Sequence, residues 1–315
     1  MIRKVVISTA WHPVCVGTYL RRGFEALGHT VVAVGPTSGQ VQPWPGCEGK
    51  LYPAADVALT WPPGNTMQPA VLAALEELTD GASLWVDIDG GYRVPICARQ
   101  WPGLKRVYVN TDPHVTGLGL SPSSPRLSEW DMSYMMQLMP GRGGWLPYAA
   151  DREWFQPEIA ATAPPDLLVS VPGAIYPERE DLAVELAGHL GFGKVGGPSI
   201  GGIYAEHAAW LRRAKVVVVW PLSTDLPCRV FEALACGRPV VVRESVSLCA
   251  MQVKGLLPPA GIRVVSRQRE VLPAVRELLH EFWTPEGVHV QPSFLPAGNF
   301  WEDRAQQIIE RRQLP

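Results

Sequence analysis

The stretch VVVVWPLSTDLPCRVFEALACGRPVVVR, residues 216–243, decides the fold of this chain. Its continuous run of valines predicts a strand at Val216–Trp220 that is covered on both faces, as the strands of a parallel sheet are. A polar loop leads to a predicted short helix at Cys228–Cys236, which ends at Gly237, and a second strand follows at Val240–Val242. This order places the first helical turn at the carboxyl end of a buried strand, as in doubly wound α/β domains.

The start of this helix has the chemistry of an anion site. The backbone N–H groups around Cys228 and the helix dipole favour a bound phosphate. Arg229 and Glu232 share one helix face, so an arginine that grips a phosphate would stand beside a carboxylate that can accept two ribose hydroxyls. A simpler explanation is that Glu232 favours the positive end of its own helix and Arg229 pairs with it at the surface. Residue types alone leave both explanations open.

The composition limits the class of protein. The chain has 315 residues, of which 47% are hydrophobic and 18% charged, which is typical of a globular protein with room for two domains. The net charge of −2 argues against a general nucleic-acid binder, although it leaves room for a local basic groove. The 6 cysteines show neither a C-x-x-C pair nor a zinc spacing, and they predict a reducing, cytoplasmic compartment. We expect no signal peptide and no membrane span, because no apolar run approaches the roughly 20 residues that a span requires.

The first half of the chain opens as a βαβ unit. Strands are predicted at Lys4–Ser8 and Val31–Val34, around a helix at Gly17–Leu27. The opening lacks a G-x-G-x-x-G motif, which weakens an oxidoreductase interpretation. Gly17 would allow a phosphate to approach the backbone at the helix start. His12 lies in the loop at the ligand-binding edge of the sheet and is a candidate acceptor contact, although it could equally well cap backbone carbonyls.

A polar cluster follows the strand predicted at Lys105–Val109. Asp112 and His114 could orient a sugar hydroxyl or move a proton at the tip of that strand. The alternative is an Asx turn before a proline, with a solvent-exposed histidine. Asp87 and Asp89 precede two glycines, but two carboxylates without further oxygen ligands make a poor metal site. A turn explains them, and we predict no metal.

The second half begins again with a strand, which is predicted at Asp166–Val171 after a proline-rich linker at residues 157–165. Arg179 stands at the start of the next predicted helix, Glu180–Leu190, where the helix dipole disfavours a cation. A charge in such a place favours an anionic ligand nearby. Without a ligand, Arg179 would be a solvated residue at a helix start.

The segment RVFEALACGRPVVV resembles the nucleotide-binding segment of group 1 glycosyltransferases, in which a glutamate is followed by A-x-A-x-G and a strand. The arginine shortly before the Phe-Glu pair is closer still to the spore-maturation (CgeB-like) branch of that group. The resemblance implies an α/β chain of the GT-B class, with two Rossmann-like domains facing across a cleft and a C-terminal helix that crosses back to the N-terminal domain. The expected division is an acceptor domain at residues 1–158, a nucleotide-sugar donor domain at 159–298 and the closing helix at 299–315.

The resemblance also implies a donor site. Gly173 and Arg179 match the family's small-residue turn and the cation that reaches the donor diphosphate. The diphosphate would rest on the first turn from Cys228 with Arg229 beside it, and Glu232 would anchor the ribose.

Other positions follow the family less closely. The wider group has a second glutamate eight residues before the ribose-binding one, where this chain has Thr224. Asp225, beside it, is a hypothetical replacement as a contact to the donor sugar. The branch has a similar Asp-x-His segment, which implies that Asp112 and His114 are catalytic, while Gly17 is expected to contribute to donor binding.

The predicted activity is a hexosyltransferase-like transfer of a sugar, EC 2.4, from a nucleoside diphosphate sugar to an acceptor hydroxyl. The resemblance implies a metal-independent reaction that retains configuration, with a UDP-sugar as the favoured donor and no cofactor beyond this substrate. The acceptor stays open among a small molecule, a glycan, a protein and a modified DNA base. The alternatives are a nucleotide-sugar epimerase of the same architecture and a nucleotide-sugar-binding protein without catalysis.

Overall fold

Buried parallel strands form the centre of each half of the chain. The computed structural model describes residues 4–9, 11, 15–35, 55–58, 73, 76–77, 80–89, 103–111, 130–141, 143–157, 165–198, 202–221, 223, 225–257, 259–283 and 293–310. The strands in these ranges are β1 (Lys4–Ser8), β2 (Thr30–Gly35), β3 (Val57–Ala58), β4 (Ala82–Ile88), β5 (Lys105–Asn110), β6 (Met132–Met135), β7 (Gly144–Trp145), β8 (Leu167–Ser170), β9 (Val195–Gly196), β10 (Ala214–Val219), β11 (Val240–Arg243) and β12 (Ile262–Val265). The helices are α1 (Val16–Ala26), α2 (Pro177–Leu190), α3 (Ala205–Arg212), α4 (Cys228–Ala235), α5 (Val246–Val253), α6 (Val271–Phe282), which a short 3-10 helix at Gln268–Glu270 precedes, and α7 (Trp301–Glu310).

The chain divides into two units. The first unit comprises Met1–Trp44, Glu48–Pro147 and Trp301–Pro315, and the second comprises Pro45–Cys47 and Tyr148–Phe300. The boundaries expected from the sequence lie at residues 158 and 298. The assignment of an acceptor role to one part and a donor role to the other stays a prediction.

The first unit contains a parallel sheet in the order β3-β2-β1-β4-β5-β6-β7. The chain moves outward from β1 to β3 and then returns to β4 on the other side of β1, so the strand order reverses between β1 and β4. Buried hydrogen bonds join these two strands at their carboxyl ends. The Ser8 hydroxyl donates to Asp87 Oδ1 at 2.6 Å and accepts from Trp85 Nε1 at 2.9 Å.

The second unit contains a parallel sheet in the order β12-β11-β10-β8-β9. Here the order reverses between β8 and β10, because the chain passes from β8 to β9 on one side and then to β10 on the other. Both faces of the sheet are buried, which explains why β10 and β11 are runs of valine. The core includes Val169, Leu182, Leu186, Val216, Val218, Val241, Val275 and Leu278.

The elements predicted for the stretch at residues 216–243 are confirmed with small shifts at their ends. The predicted strand at Val216–Trp220 is β10 at Ala214–Val219, and the predicted helix is α4 at Cys228–Ala235. The second predicted strand is β11 at Val240–Arg243. Gly237, with φ at 70°, follows the end of α4 as the predicted stop requires.

The last helix, α7, belongs to the first unit and packs against α1. The ring of Tyr19 in α1 stacks on Trp301, with 5.4 Å between the ring centroids and 6° between the planes. Arg304 is buried and donates from Nε to the Pro147 carbonyl at 2.7 Å, and burial lowers the pKa of its guanidinium to about 10. Gln307 donates to the Trp145 carbonyl at 2.8 Å. These contacts place the C-terminal helix on the N-terminal unit, as the fold class requires.

Gly23 allows this close packing, and its replacement is expected to destabilise the first unit. A Cβ atom at Gly23 would lie 2.5 Å from the Trp301 carbonyl oxygen, a backbone atom that cannot move without displacing α7. We expect Gly23→Ala to lower the free energy of unfolding by about 1–3 kcal/mol, the usual cost of overpacking. Denaturant unfolding followed by circular dichroism measures this change.

The matched control is Gly188→Ala. Gly188 lies in α2, and a Cβ there would meet no atom within 4 Å, so the alanine should stabilise that helix by about 0.5–1 kcal/mol. A Gly23→Ala protein as stable as the wild type would show that α1 and α7 do not pack this closely.

Candidate functional site

The candidate site lies in the second unit, where the strand order reverses between β8 and β10. In open parallel sheets, ligands bind outside the carboxyl ends of the two strands at such a point. The segment after β8 leads through Gly173 into α2, and the segment after β10 leads into α4. Those predicted donor-binding residues that belong to the described part of this unit therefore lie at or near the two loop–helix junctions at this edge.

Gly173, Arg179 and Arg229 are close together in space, although 56 positions separate the first from the last in the sequence. A Cβ atom at Gly173 would lie 2.8 Å from Arg179 Nη1 and 3.3 Å from Arg229 Cζ. The backbone at Gly173 also has a φ of 129°, a conformation that side chains rarely allow. Glycine is thus required here both by the backbone and by the two guanidinium groups against it.

Arg179 is buried and rigidly held. Only 7% of its surface is exposed. Its Nε donates to the Trp220 carbonyl at 2.8 Å and its Nη1 donates to the Ala174 carbonyl at 2.9 Å, so one guanidinium links the segments that follow β10 and β8. The Tyr176 ring lies 5.1 Å from its Cζ atom. The alternative of a solvated residue at a helix start is therefore wrong.

The two guanidinium groups repel each other. Burial, and after it the positive charge of Arg229, lowers the pKa of Arg179 to about 10. Within the residues that the structure describes, neither arginine has a carboxylate oxygen within 4.0 Å. Two cations held together without a carboxylate between them are a favourable place for an anion, because an anion would offset both charges.

The N-terminus of α4, with its partial positive charge, lies beside the guanidinium of Arg229. Pro227 occupies the N-cap position and supplies no side-chain hydrogen bond, and the first turn carries no acidic residue. Cys228 and Arg229 are half-buried at its start. Serine or aspartate at an N-cap would compete with a bound anion for the first N–H groups of a helix, and this helix has neither.

Glu232 follows one turn later and is almost completely buried, with 3% of its surface exposed. Its Oε2 lies 3.4 Å from Nε2 of His207, a residue of α3. The simple explanation in which Glu232 pairs with Arg229 at the surface is wrong, because Glu232 is buried and the basic side chain within 4.0 Å of it is His207. Sequence reasoning missed His207, since nothing in the spacing along α3 indicates that this helix meets α4.

Asp225 lies just before α4 and is buried, with 8% of its surface exposed. Its Oδ2 accepts a hydrogen bond from the Ser223 hydroxyl. This places the carboxylate at the entrance to the helix that carries Arg229. Its role as a substitute for the missing glutamate stays a prediction, and Thr224 lies outside the described residues.

The predicted acceptor and catalytic residues His12, Asp112 and His114 also lie outside the described residues. Thr111, immediately before that segment, is held by Asp89, whose carboxylate accepts from the Thr111 N–H at 2.8 Å and from its hydroxyl. The φ of Asp89 is 65°, while the two glycines of the predicted turn lie outside the described residues.

Gly17 belongs to the first unit and packs closely on its neighbours. A Cβ atom there would lie 2.5 Å from Thr9 Cγ2 and 3.5 Å from Ile88 Cδ1. This close approach gives a packing reason for glycine in the first turn of α1. A contribution of Gly17 to donor binding stays a prediction.

The described parts of the chain contain no group of three or more His, Cys, Asp or Glu side chains that could hold a metal ion. None of the helices described there is both long and apolar enough to cross a bilayer.

Comparison with solved structures places the chain in the GT-B fold class. It is similar to the sucrose-phosphate synthase of Thermosynechococcus elongatus, with a TM-score of 0.57, 14% identity and 98% coverage of both chains. It is also similar to LpCGTa in complex with UDP, with a TM-score of 0.53, 12% identity and 99% coverage of both chains. The UDP-GlcNAc 2-epimerase of Methanocaldococcus jannaschii has a TM-score of 0.51 and 9% identity, over 99% of this chain and 100% of the epimerase.

These similarities confirm the predicted fold class of two Rossmann-like α/β units with parallel sheets. No protein-family model matches the chain, and no curated protein matches it either. Transferases and an epimerase share this fold, so the activity has to be argued from the site.

Proposed function

We propose that the protein is a glycosyltransferase that transfers a sugar from a nucleoside diphosphate sugar to an acceptor hydroxyl. The observation that carries this proposal is the convergence of Arg179 and Arg229 on Gly173, with no carboxylate oxygen within 4.0 Å of either guanidinium among the described residues. A diphosphate carries two adjacent negative groups, and two guanidiniums at a helix N-terminus are suited to hold both.

The site supplies electrostatic stabilisation where charge develops. In the transfer, the bond between the anomeric carbon and the diphosphate oxygen breaks, and the departing diphosphate keeps the electron pair. The acceptor oxygen forms the new bond to the anomeric carbon and gives up its proton. Arg179 and Arg229 would offset the charge of the leaving diphosphate, and Arg179 is held in place before the reaction by the Trp220 and Ala174 carbonyls.

The remaining predicted roles are extensions of this proposal. Cys228 would lie under the diphosphate, Glu232 would accept the ribose hydroxyls, and Asp225 would contact the donor sugar. Asp112 and His114 would orient the acceptor hydroxyl and accept its proton. Because guanidiniums stabilise the leaving group, the proposed reaction needs no metal.

Finer points are also proposals. The favoured donor is a UDP-sugar, which the similarity to a UDP-bound structure supports at the level of fold. Membership of the spore-maturation branch is supported by the arginine that precedes the Phe-Glu pair in α4. Retention of configuration, hexosyltransferase class EC 2.4 and a cytoplasmic location follow only from that resemblance and the cysteine pattern. The acceptor is a small molecule, a glycan, a protein or a modified DNA base.

The test uses the donor alone, because slow hydrolysis needs no acceptor. Purified protein is incubated with UDP-, GDP- and ADP-sugars, and both the free nucleotide and the sugar are followed by chromatography. We expect one donor to release its nucleoside diphosphate together with free sugar. Calorimetry with UDP, GDP and ADP should show binding of the same nucleotide.

Each other outcome contradicts the transferase. An intact nucleotide with an altered sugar would identify an epimerase, the second candidate, which the fold shared with the UDP-GlcNAc 2-epimerase favours. Binding without hydrolysis, and without turnover across a panel of acceptors, would identify a non-catalytic binding protein. Failure to bind any of the three nucleotides would overturn the diphosphate site itself.

A further inference from the structure

The buried carboxylate of Glu232 has a partner that the proposed reaction does not yet use. An ionised carboxylate is costly to bury unless it is paired. Among the described residues, the basic side chain within 4.0 Å of it is His207, whose Nε2 lies 3.4 Å from Glu232 Oε2. A carboxylate that must present oxygens to sugar hydroxyls needs a fixed orientation, and this contact can supply it.

The surroundings of His207 hold its ring beside Glu232. It is buried in α3, and its ring meets the Phe155 ring edge-on at 6.0 Å between centroids. Within the described chain, its Nδ1 is buried and has no hydrogen-bond partner. A proton on Nδ1 would therefore be buried without an acceptor, whereas Nε2 lies 3.4 Å from a carboxylate oxygen of Glu232 that can accept one.

The backbone before His207 is strained in a way that fixes its helix. Tyr204, the N-cap of α3, has a φ of 52° and a ψ of −117°. Such a conformation is rare for a residue other than glycine and persists only where neighbours impose it. The Tyr204 ring stacks on Trp154 with 3.9 Å between centroids. Trp154 and Phe155 are adjacent, so one aromatic pair contacts both the start of α3 and His207.

We propose that His207 is a positioning residue for ribose recognition. It donates from Nε2 to one oxygen of Glu232 and so turns the carboxylate toward the 2′- and 3′-hydroxyls of the donor nucleotide. This inference rests on the proposed function, because it requires a nucleotide in the site. A purely structural histidine would fill space between α3 and α4 and would leave the preference for ribose unchanged.

The test compares each nucleotide with its form that lacks the two hydroxyls. Affinities for UDP, GDP and ADP and for their 2′,3′-dideoxy counterparts are measured by calorimetry on the wild type and on His207→Phe, His207→Gln and His280→Gln. His280 is an exposed histidine of α6 in the same unit and serves as the control. Hydrogen bonds to a charged group are stronger than those between neutral groups, so we expect the wild type to prefer the ribose form by about tenfold or more.

His207→Phe should reduce this preference to about threefold or less, because Glu232 loses its orienting donor. His207→Gln keeps an N–H donor and should restore part of the preference, and His280→Gln should match the wild type. An unchanged ratio in His207→Phe, or an equal fall in affinity for both forms, would overturn the positioning role. If His207→Phe fails to fold, the ratio in His207→Asn, whose amide is too short to reach Glu232, decides in the same way. A wild type that binds none of the nucleotides would instead overturn the proposed function, and the inference with it.

Discussion

Arg229→Ala is expected to raise the barrier of the proposed transfer by about 2–4 kcal/mol, the range for removing one preorganised donor from a developing negative charge. This corresponds to a loss of roughly 30-fold to 1,000-fold in kcat/KM. The reason is that Arg229 and Arg179 face the same place at Gly173, and Arg179 alone would then offset the leaving diphosphate. Steady-state kinetics with the donor found by hydrolysis measures the loss.

In the unliganded protein, Arg229→Ala should not lower the folding stability, although it lowers activity. The pKa of Arg179 is lowered to about 10, so keeping its guanidinium protonated costs folding free energy at every pH below that value, including neutral pH. Arg229 contributes to this cost, and its removal should leave the unliganded protein at least as stable as the wild type. If Arg229 only supported the fold, its replacement by alanine would instead lower the stability of the unliganded protein.

Arg276→Ala is the matched control, because Arg276 is an exposed arginine of α6 in the same unit. It should change neither kcat/KM nor thermal stability appreciably. Turnover of Arg229→Ala within threefold of the wild type would show that Arg229 does not face the departing group.

Gly173→Ala is expected to weaken nucleotide binding strongly, although it replaces no charged residue. The new Cβ would lie 2.8 Å from Arg179 Nη1, and the backbone φ of 129° would be strained for alanine. Arg179 cannot simply move aside, because it is hydrogen-bonded to the Trp220 and Ala174 carbonyls. We expect calorimetry to show at least about a tenfold loss of affinity for the nucleoside diphosphate, because the two guanidinium groups would be displaced from their positions beside it.

Gly188→Ala again provides the control for a glycine without close neighbours, and it should bind nucleotide as the wild type does. The folding of Gly173→Ala should be checked by thermal unfolding before its affinity is measured, because backbone strain of this kind costs about 1–3 kcal/mol of stability. A folded Gly173→Ala protein with wild-type affinity would mean that the diphosphate does not bind against this turn.

The cluster of Gly173, Arg179 and Arg229 could be largely anticipated from the sequence. The run of valines ending in a polar loop and a short helix predicted β10 and α4, and the resemblance in that segment pointed to Gly173, Arg179 and Arg229. The structure brings these three together. His207 could not be predicted in this way, because its role depends on how α3 packs against α4, which no spacing along the chain encodes.

The sequence also left open which charged residues are buried. Arg179 and Glu232 each had an ordinary surface explanation, in which the arginine was solvated and the carboxylate paired with Arg229. In the structure both are buried, and the pKa of Arg179 is lowered in consequence. The sequence around a charged residue does not indicate whether that residue will be buried, because the segments that bury it lie far away in the chain.

By itself, then, the sequence determined the α/β class and several of its elements, among them β10, α4 and β11, because local runs of apolar residues and turn residues set the period and the ends of such elements. Only the tertiary structure decided the order of the strands, and with it the point between β8 and β10 where the order reverses. That order brings Arg179 and Arg229 together and sets His207 against Glu232. The physical reason is that the packing of distant elements, rather than any local preference, decides which charges must share a buried site.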